Sequence, residues 1–212
     1  MMSYPEPIPQ DRKRLSPEER RTMIVSGATA YLSEVGLEWN TRELSKRLGV
    51  TQSLIFKYFD TKSDLLEAVY RSVYLDRVLP DWADLIIDRR VSINDRTVKF
   101  YSEYSDAIFS YEWMRIFMFS GLAGAELNHR YLVHLSTLML EPLLEEILYA
   151  TKSIHKPVME DIWNLHGGIV YIGIRRFVYQ MPHISNDDQT IRMSVERFLR
   201  YYEIDIDQEV SK

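Results

Sequence analysis

Gln52, Ser53 and Lys57 are three polar side chains within six residues, all of types that can read a hydrogen-bonding edge. A glutamine amide can pair with an adenine edge, and a lysine ammonium can meet guanine or a phosphate. Arg42, Lys46, Arg47 and Lys62 stand around them with the charge to meet phosphates, and Thr41, Thr51 and Tyr58 add hydroxyls. The same spacing also fits the solvated side of two amphipathic helices, as in a helical ligand- or protein-binding module with little specific DNA affinity. Other chemistries have less support. The chain has no Cys, no nucleophile elbow and no glycine-rich phosphate loop. His129 and His134 are five apart, which does not put them on one helical face as a metal pair requires. His155, His166 and His183 are isolated. No catalytic residue, metal or cofactor is therefore expected.

The elements that would position the polar group are legible around it. Thr41 is expected to cap a short helix that buries Leu44 and Leu48, and Gly49 suits the left-handed turn at its end. Val50 can plug the corner. Thr51 is then a cap for a second helix, Gln52–Tyr58, burying Ile55 and Phe59. Thr61, with Asp64 at the capping-box position, opens a further helix. Two short helices joined by a tight glycine turn form a helix-turn-helix, whose second helix lies in a DNA major groove. Upstream, Ser16-Pro17-Glu18-Glu19 is a capping box with proline at the first helical position. Ile24, Ala28, Tyr31 and Val35 follow at helical spacing, and Gly36 ends that helix.

The run Gly-Val-Thr-x-x-x-Ile-Phe-x-Tyr-Phe-x-Thr-Lys-x-x-Leu over residues 49–65 resembles the DNA-binding domain of the tetracycline-repressor (TetR) family. The likeness is colinear and extends over residues 14–72. Phe56 stands where the family usually has Tyr, so one hydroxyl that often touches phosphate is absent. Tyr58 stands where His is common and supplies a hydroxyl nearby. The resemblance implies a double-stranded DNA operator, release by a small-molecule effector, and a homodimer built from the last two helices.

The whole chain carries a net charge of −5. Residues 1–75 are close to neutral and the remainder is acidic, so charge alone does not point to DNA. An all-α architecture is expected. Residues 1–14 read as a disordered arm, 15–60 as the helix-turn-helix domain, 61–204 as a helical effector and dimer domain, and 205–212 as a frayed tail. Leu79-Pro80 should stop the helix that begins at Thr61, residues 121–124 should break a later one, and Pro142 should kink or split a helix over 126–149. No apolar stretch approaches the roughly 18–20 residues that span a membrane. The absence of Cys fits a reducing cytoplasm.

The body is dense in aromatic side chains. An effector pocket is expected to draw on Tyr104, Trp113, Phe117, Trp163 and Tyr171 with His166 as a polar neighbour. A dimer interface is expected from Ile169, Ile172, Gly173, Phe177, Val195, Phe198 and Tyr202. The bland alternative for each is ordinary core.

Overall fold

Local interactions start most of the helices. The Ser16 hydroxyl accepts from the Glu19 N–H while the Glu19 carboxylate accepts from the Ser16 N–H, closing the capping box that opens α1, Pro17–Val35. Gly36 ends α1 at φ +64, and its φ sign favours glycine. In the computed structural model, residues 15–74, 77, 81–122, 126–182 and 186–206 are described, without the side chains of Leu37 and Leu127. Among them every regular element is helical and there is no strand. The expected arm, Leu79-Pro80, half of the 121–124 break, His183 and residues 207–212 of the expected tail lie outside the described residues.

After α1 come α2, Thr41–Leu48; α3, Gln52–Phe56; and α4, Lys62–Tyr74. The body follows with α5, Asp81–Ile87; α6, Ile93–Ile108, capped by Ser92; α7, Tyr111–Leu122; and α8, Glu126–Leu135. It ends with α9, Glu141–Ala150; α10, Met159–Gly173; and α11, Asp187–Tyr201, capped by Asn186. Pro142 does not split the chain into two separate helices. A π-helical turn over Ser136–Leu140 joins α8 to α9 and leaves Pro142 in the first turn of α9, where no N–H is needed. A second π-helical turn, Ile174–Val178, extends α10.

Helix α1 packs on α2 and α4 within the headpiece and also on α7 of the body. One continuous apolar core therefore runs from Ile24 and Leu44 through Val69 and Tyr74 to Ile147, Ile169 and Leu199. Inside the body a buried ionic node ties three helices. Arg96, only 4% exposed, donates to the Ile86 carbonyl and to the Glu146 carboxylate at 2.8 Å. Arg89 adds a fork to the same carboxylate at 2.9 to 3.2 Å. Burial raises the Glu146 pKa, but hydrogen bonds from Arg89 and Arg96 outweigh it and hold the carboxyl below its usual range.

Removing one partner of such a node strands the other charge in the core. Glu146→Ala is expected to cost about 3–5 kcal/mol in urea unfolding, and Arg96→Met combined with Glu146→Leu to recover most of that loss.

Candidate nucleic-acid interface

The turn between α2 and α3 is set by Gly49 at φ +64, ψ +33, with its N–H on the Lys46 carbonyl. The Val50 N–H then reaches the Ser45 carbonyl at 3.0 Å. The cap of α2 is Asn40, whose side chain accepts from the Glu43 N–H at 2.9 Å; Thr41, the expected cap, is the first helical residue. Thr51 caps α3 as expected, through the Leu54 N–H. Helix α3 is shorter than expected: the Tyr58 N–H turns to the Ile55 carbonyl three residues back, at 3.0 Å, and leaves Tyr58 in a turn. Ile55 and Phe59 hold α3 to the core, and Thr61 and Asp64 form the reciprocal cap of α4.

These anchors leave one face of α3 outward. Gln52, Ser53, Phe56 and Lys57 lie on it, with Thr51 exposed beside them. Phe56, 41% exposed, was not among the residues expected to touch DNA. It adds an apolar contact of the kind that meets a thymine methyl. Gln52 Nε2 donates to Thr41 Oγ1 at 3.2 Å, so the first residues of α2 and α3 steady each other. The Ser53 hydroxyl lies 2.9 Å from that of Thr51. Arg42 is exposed, while Tyr58 is half-buried and packs on the core. Lys62 Nζ donates to the Trp39 carbonyl at 2.8 Å and sits over the Trp39 ring. An ammonium carries three donors, so two remain for a phosphate. Arg47 is held against α1, on the Glu34 carboxylate and over the Tyr31 ring, and is the least available of the expected phosphate cations.

Residues 24–69, which contain this whole arrangement, match the model for bacterial regulatory proteins of the tetR family. The headpiece belongs to the TetR family. TetR-family proteins are DNA-binding transcriptional regulators. The fold of the full TetR-type chain is also shared. A candidate TetR-family regulator from Mesorhizobium loti superposes with a TM-score of 0.59 at 13% identity, covering 89% of this chain and 99% of its own. A TetR-family regulator from Streptomyces coelicolor gives 0.58 at 16%, covering 87% and 80%. Identities this low speak for the fold alone. No curated protein matches the chain.

The expected pocket residues in the body divide into two groups. Tyr104, Trp163 and His166 meet in one, with the His166 ring 5.3 Å from Tyr104 and 5.6 Å from Trp163. Trp113 and Phe117 stack at 4.9 Å in the other, against Tyr74 and Tyr131. The Tyr104 and Tyr131 hydroxyls join the groups at 2.9 Å. Tyr171 is apart, 48% exposed on α10. Tyr70, Tyr74 and Tyr131 were missed by sequence reasoning. The four-residue spacing of Tyr70 and Tyr74 on α4 was the available signal.

The expected dimer residues also turn out differently placed. Ile169, Ile172, Val195 and Tyr202 are buried within their own chain, and a Cβ at Gly173 would strike Met114 and Phe109. Phe177 and Phe198 are half-buried and packed on the same core. These side chains join α10 and α11 to the body. What the two helices leave outward includes Gly167, Gly168, Tyr171, Met193 and Tyr201, together with polar residues such as Asn164, Arg192, Arg197 and Arg200.

His166 is 5% exposed, and desolvation lowers its pKa to about 4. The unfolded imidazole, near 6.5, therefore binds its proton first as pH falls. His166 should cost stability progressively from about pH 6.5 down to 4, reaching about 3 kcal/mol. Urea unfolding of the parent and His166→Gln across that window is expected to show this slope in the parent only.

Proposed function

We propose that the chain is a cytoplasmic, homodimeric repressor that binds a double-stranded DNA operator and is released from it by a small-molecule effector. One observation carries the DNA part. Four side chains of α3 with base-reading and apolar chemistry face outward on a helix whose other side is locked into the headpiece. Gln52 and Lys57 supply base-edge readout, Ser53 and Phe56 pack beside them, and Arg42, Thr51, Tyr58 and Lys62 hold phosphates. A single α3 reads too few base pairs for specificity, so two copies about one turn of DNA apart are needed.

The copies would meet through the outward faces of α10 and α11. A Cβ added at Gly167 or Gly168 meets nothing within its own chain, so these glycines leave an open groove for a close helix approach. Tyr171, 48% exposed, Met193, 41%, and Tyr201, 71%, supply apolar area on the outward faces of α10 and α11. The effector part is supported by the aromatic cluster, which contains α4 and so touches the helix that opens at the DNA-binding headpiece. An effector that prefers a dimer with displaced headpieces shifts population away from the operator complex.

Gel shifts with DNA from upstream of the coding sequence, at two salt concentrations, test the DNA reading. Gln52→Ala and Lys57→Ala are each expected to weaken the specific complex by about 1–3 kcal/mol while leaving the fold intact. Parent-like affinity in both variants would refute the assignment.

Because the groove at Gly168 is open, Gly168→Glu should fold as the parent does and yet separate the subunits. Sedimentation at micromolar concentration is expected to give dimer for the parent and monomer for the variant. A monomeric parent contradicts the dimer.

A further inference from the structure

A crevice of about 160 Å³ opens between α4 and α8, one turn from the point where α4 enters the body. Its floor is aromatic. Tyr70 and Tyr74 stack with ring centroids 5.7 Å apart and planes 6° from parallel, and Tyr131 tilts against Tyr74 at 5.5 Å. The three rings are only 2–3% exposed, and the Tyr74 and Tyr131 hydroxyls are engaged with Ser120 at 3.0 Å and with Tyr104, so a ligand would meet mainly aromatic carbon. The rim is cationic. Arg71 stands on the α4 wall and Arg130 on the α8 wall, with His134 one turn further along α8. Among the described residues neither arginine has an ion-pair partner, and the single carboxylate at the rim, Glu67, pairs with neither.

Two guanidiniums flanking a small crevice repel each other, and an anion between them removes that repulsion. A guanidinium fork matches a carboxylate in two parallel hydrogen bonds, more closely than it matches a point charge. The volume corresponds to about five water molecules. It falls well below the roughly 300 Å³ at which drug-sized pockets begin. We infer that this crevice binds a small, flat organic monocarboxylate, with its ring on Tyr70, Tyr74 and Tyr131 and its carboxylate held by Arg71 and Arg130. This rests on the effector reading above and gives that effector a chemical class and a place. Ligand held from both walls would tie α4, which opens at the headpiece, to α8 of the body.

The test uses benzoate as probe and benzamide, of the same shape and uncharged, as control, titrated calorimetrically into the full chain. Benzoate is expected to bind once per chain, and benzamide at least tenfold more weakly. Arg130→Gln, on an exposed position, should keep the parent's melting temperature and lose about tenfold or more in benzoate affinity. Absence of benzoate binding at millimolar concentration, equal binding of benzamide, or unchanged binding by Arg130→Gln would each overturn the site. Gel shifts run in parallel separate this site from the effector reading. Arg130-dependent benzoate binding that leaves the DNA complex intact keeps the site and rejects the effector role. Release of DNA by a different compound, equal in parent and Arg130→Gln, keeps the effector role and rejects this site.

Discussion

The Tyr74 ring is the constraint on which the relation between headpiece and body depends. It is 2% exposed, stacked on Tyr70 and edge-on to Trp113 and Phe117, with Tyr131 tilted against it. Its hydroxyl shares a hydrogen bond with Ser120, whose hydroxyl also lies 2.6 Å from the Ile116 carbonyl. Burial pushes the phenol pKa far up, so it stays neutral across physiological pH. Three rings of the body and one hydroxyl thus fix the body end of α4, while Leu65 and Val69 bury its other end in the headpiece. Close-packed interiors transmit displacement because they have few voids to absorb it. A second tie lies on α1. Arg115 of α7 donates to the Ser33 and Glu34 carbonyls at 2.6 and 3.4 Å, and Phe119 packs where only the missing Cβ of Gly36 leaves room. The headpiece is therefore held at two points on two helices, one polar and one aromatic.

The parts of the fold that were readable from sequence are those made within four residues. The caps at Ser16, Thr51 and Thr61 and the helix ends at Gly36 and Gly49 are all of this kind. The differences have local causes too. Asn40 and Thr41 are both good caps, and the register is decided by which side chain reaches the Glu43 N–H. Pro142 was expected to kink or split a helix because its ring clashes with a carbonyl one α-turn back. A π-helical turn before it joins α8 to α9 instead, and nothing in the local sequence announces that turn.

The outward residues of the α3 segment were legible because exposure there follows from helical phase once Ile55 and Phe59 are placed inside. Lys62 was only half legible, since its carbonyl partner, Trp39, lies 23 residues away. The body was harder for a general reason. Core, pocket wall and subunit interface draw on the same apolar and aromatic residue types, and only long-range packing sorts them. Ile169 and Val195 look like interface residues in sequence and are core, whereas Gly168, a small residue that permits close helix approach, lies open. His166 was singled out as polar among aromatics, and it is, but its Nδ1 is buried with no hydrogen-bond partner.

The two anchors differ in what could move them, and on the proposed reading that difference sets the mechanism. The guanidinium–carbonyl tie on α1 lies away from the α4–α8 crevice, whereas the aromatic anchor forms its floor. A ligand entering there perturbs α4 and leaves α1 in place as a pivot. From Tyr74 to Lys62, α4 runs about 18 Å at 1.5 Å per residue. A tilt of about 10° at the crevice would displace the start of α4, and α3 with it, by about 3 Å. Hydrogen bonds to base edges tolerate only a few tenths of an ångström beyond about 3.2 Å. In a dimer both recognition helices must meet half-sites in register, so the displacement acts twice on one rigid duplex. A small change at the aromatic anchor is then sufficient to separate the DNA-bound from the free state without unfolding any element.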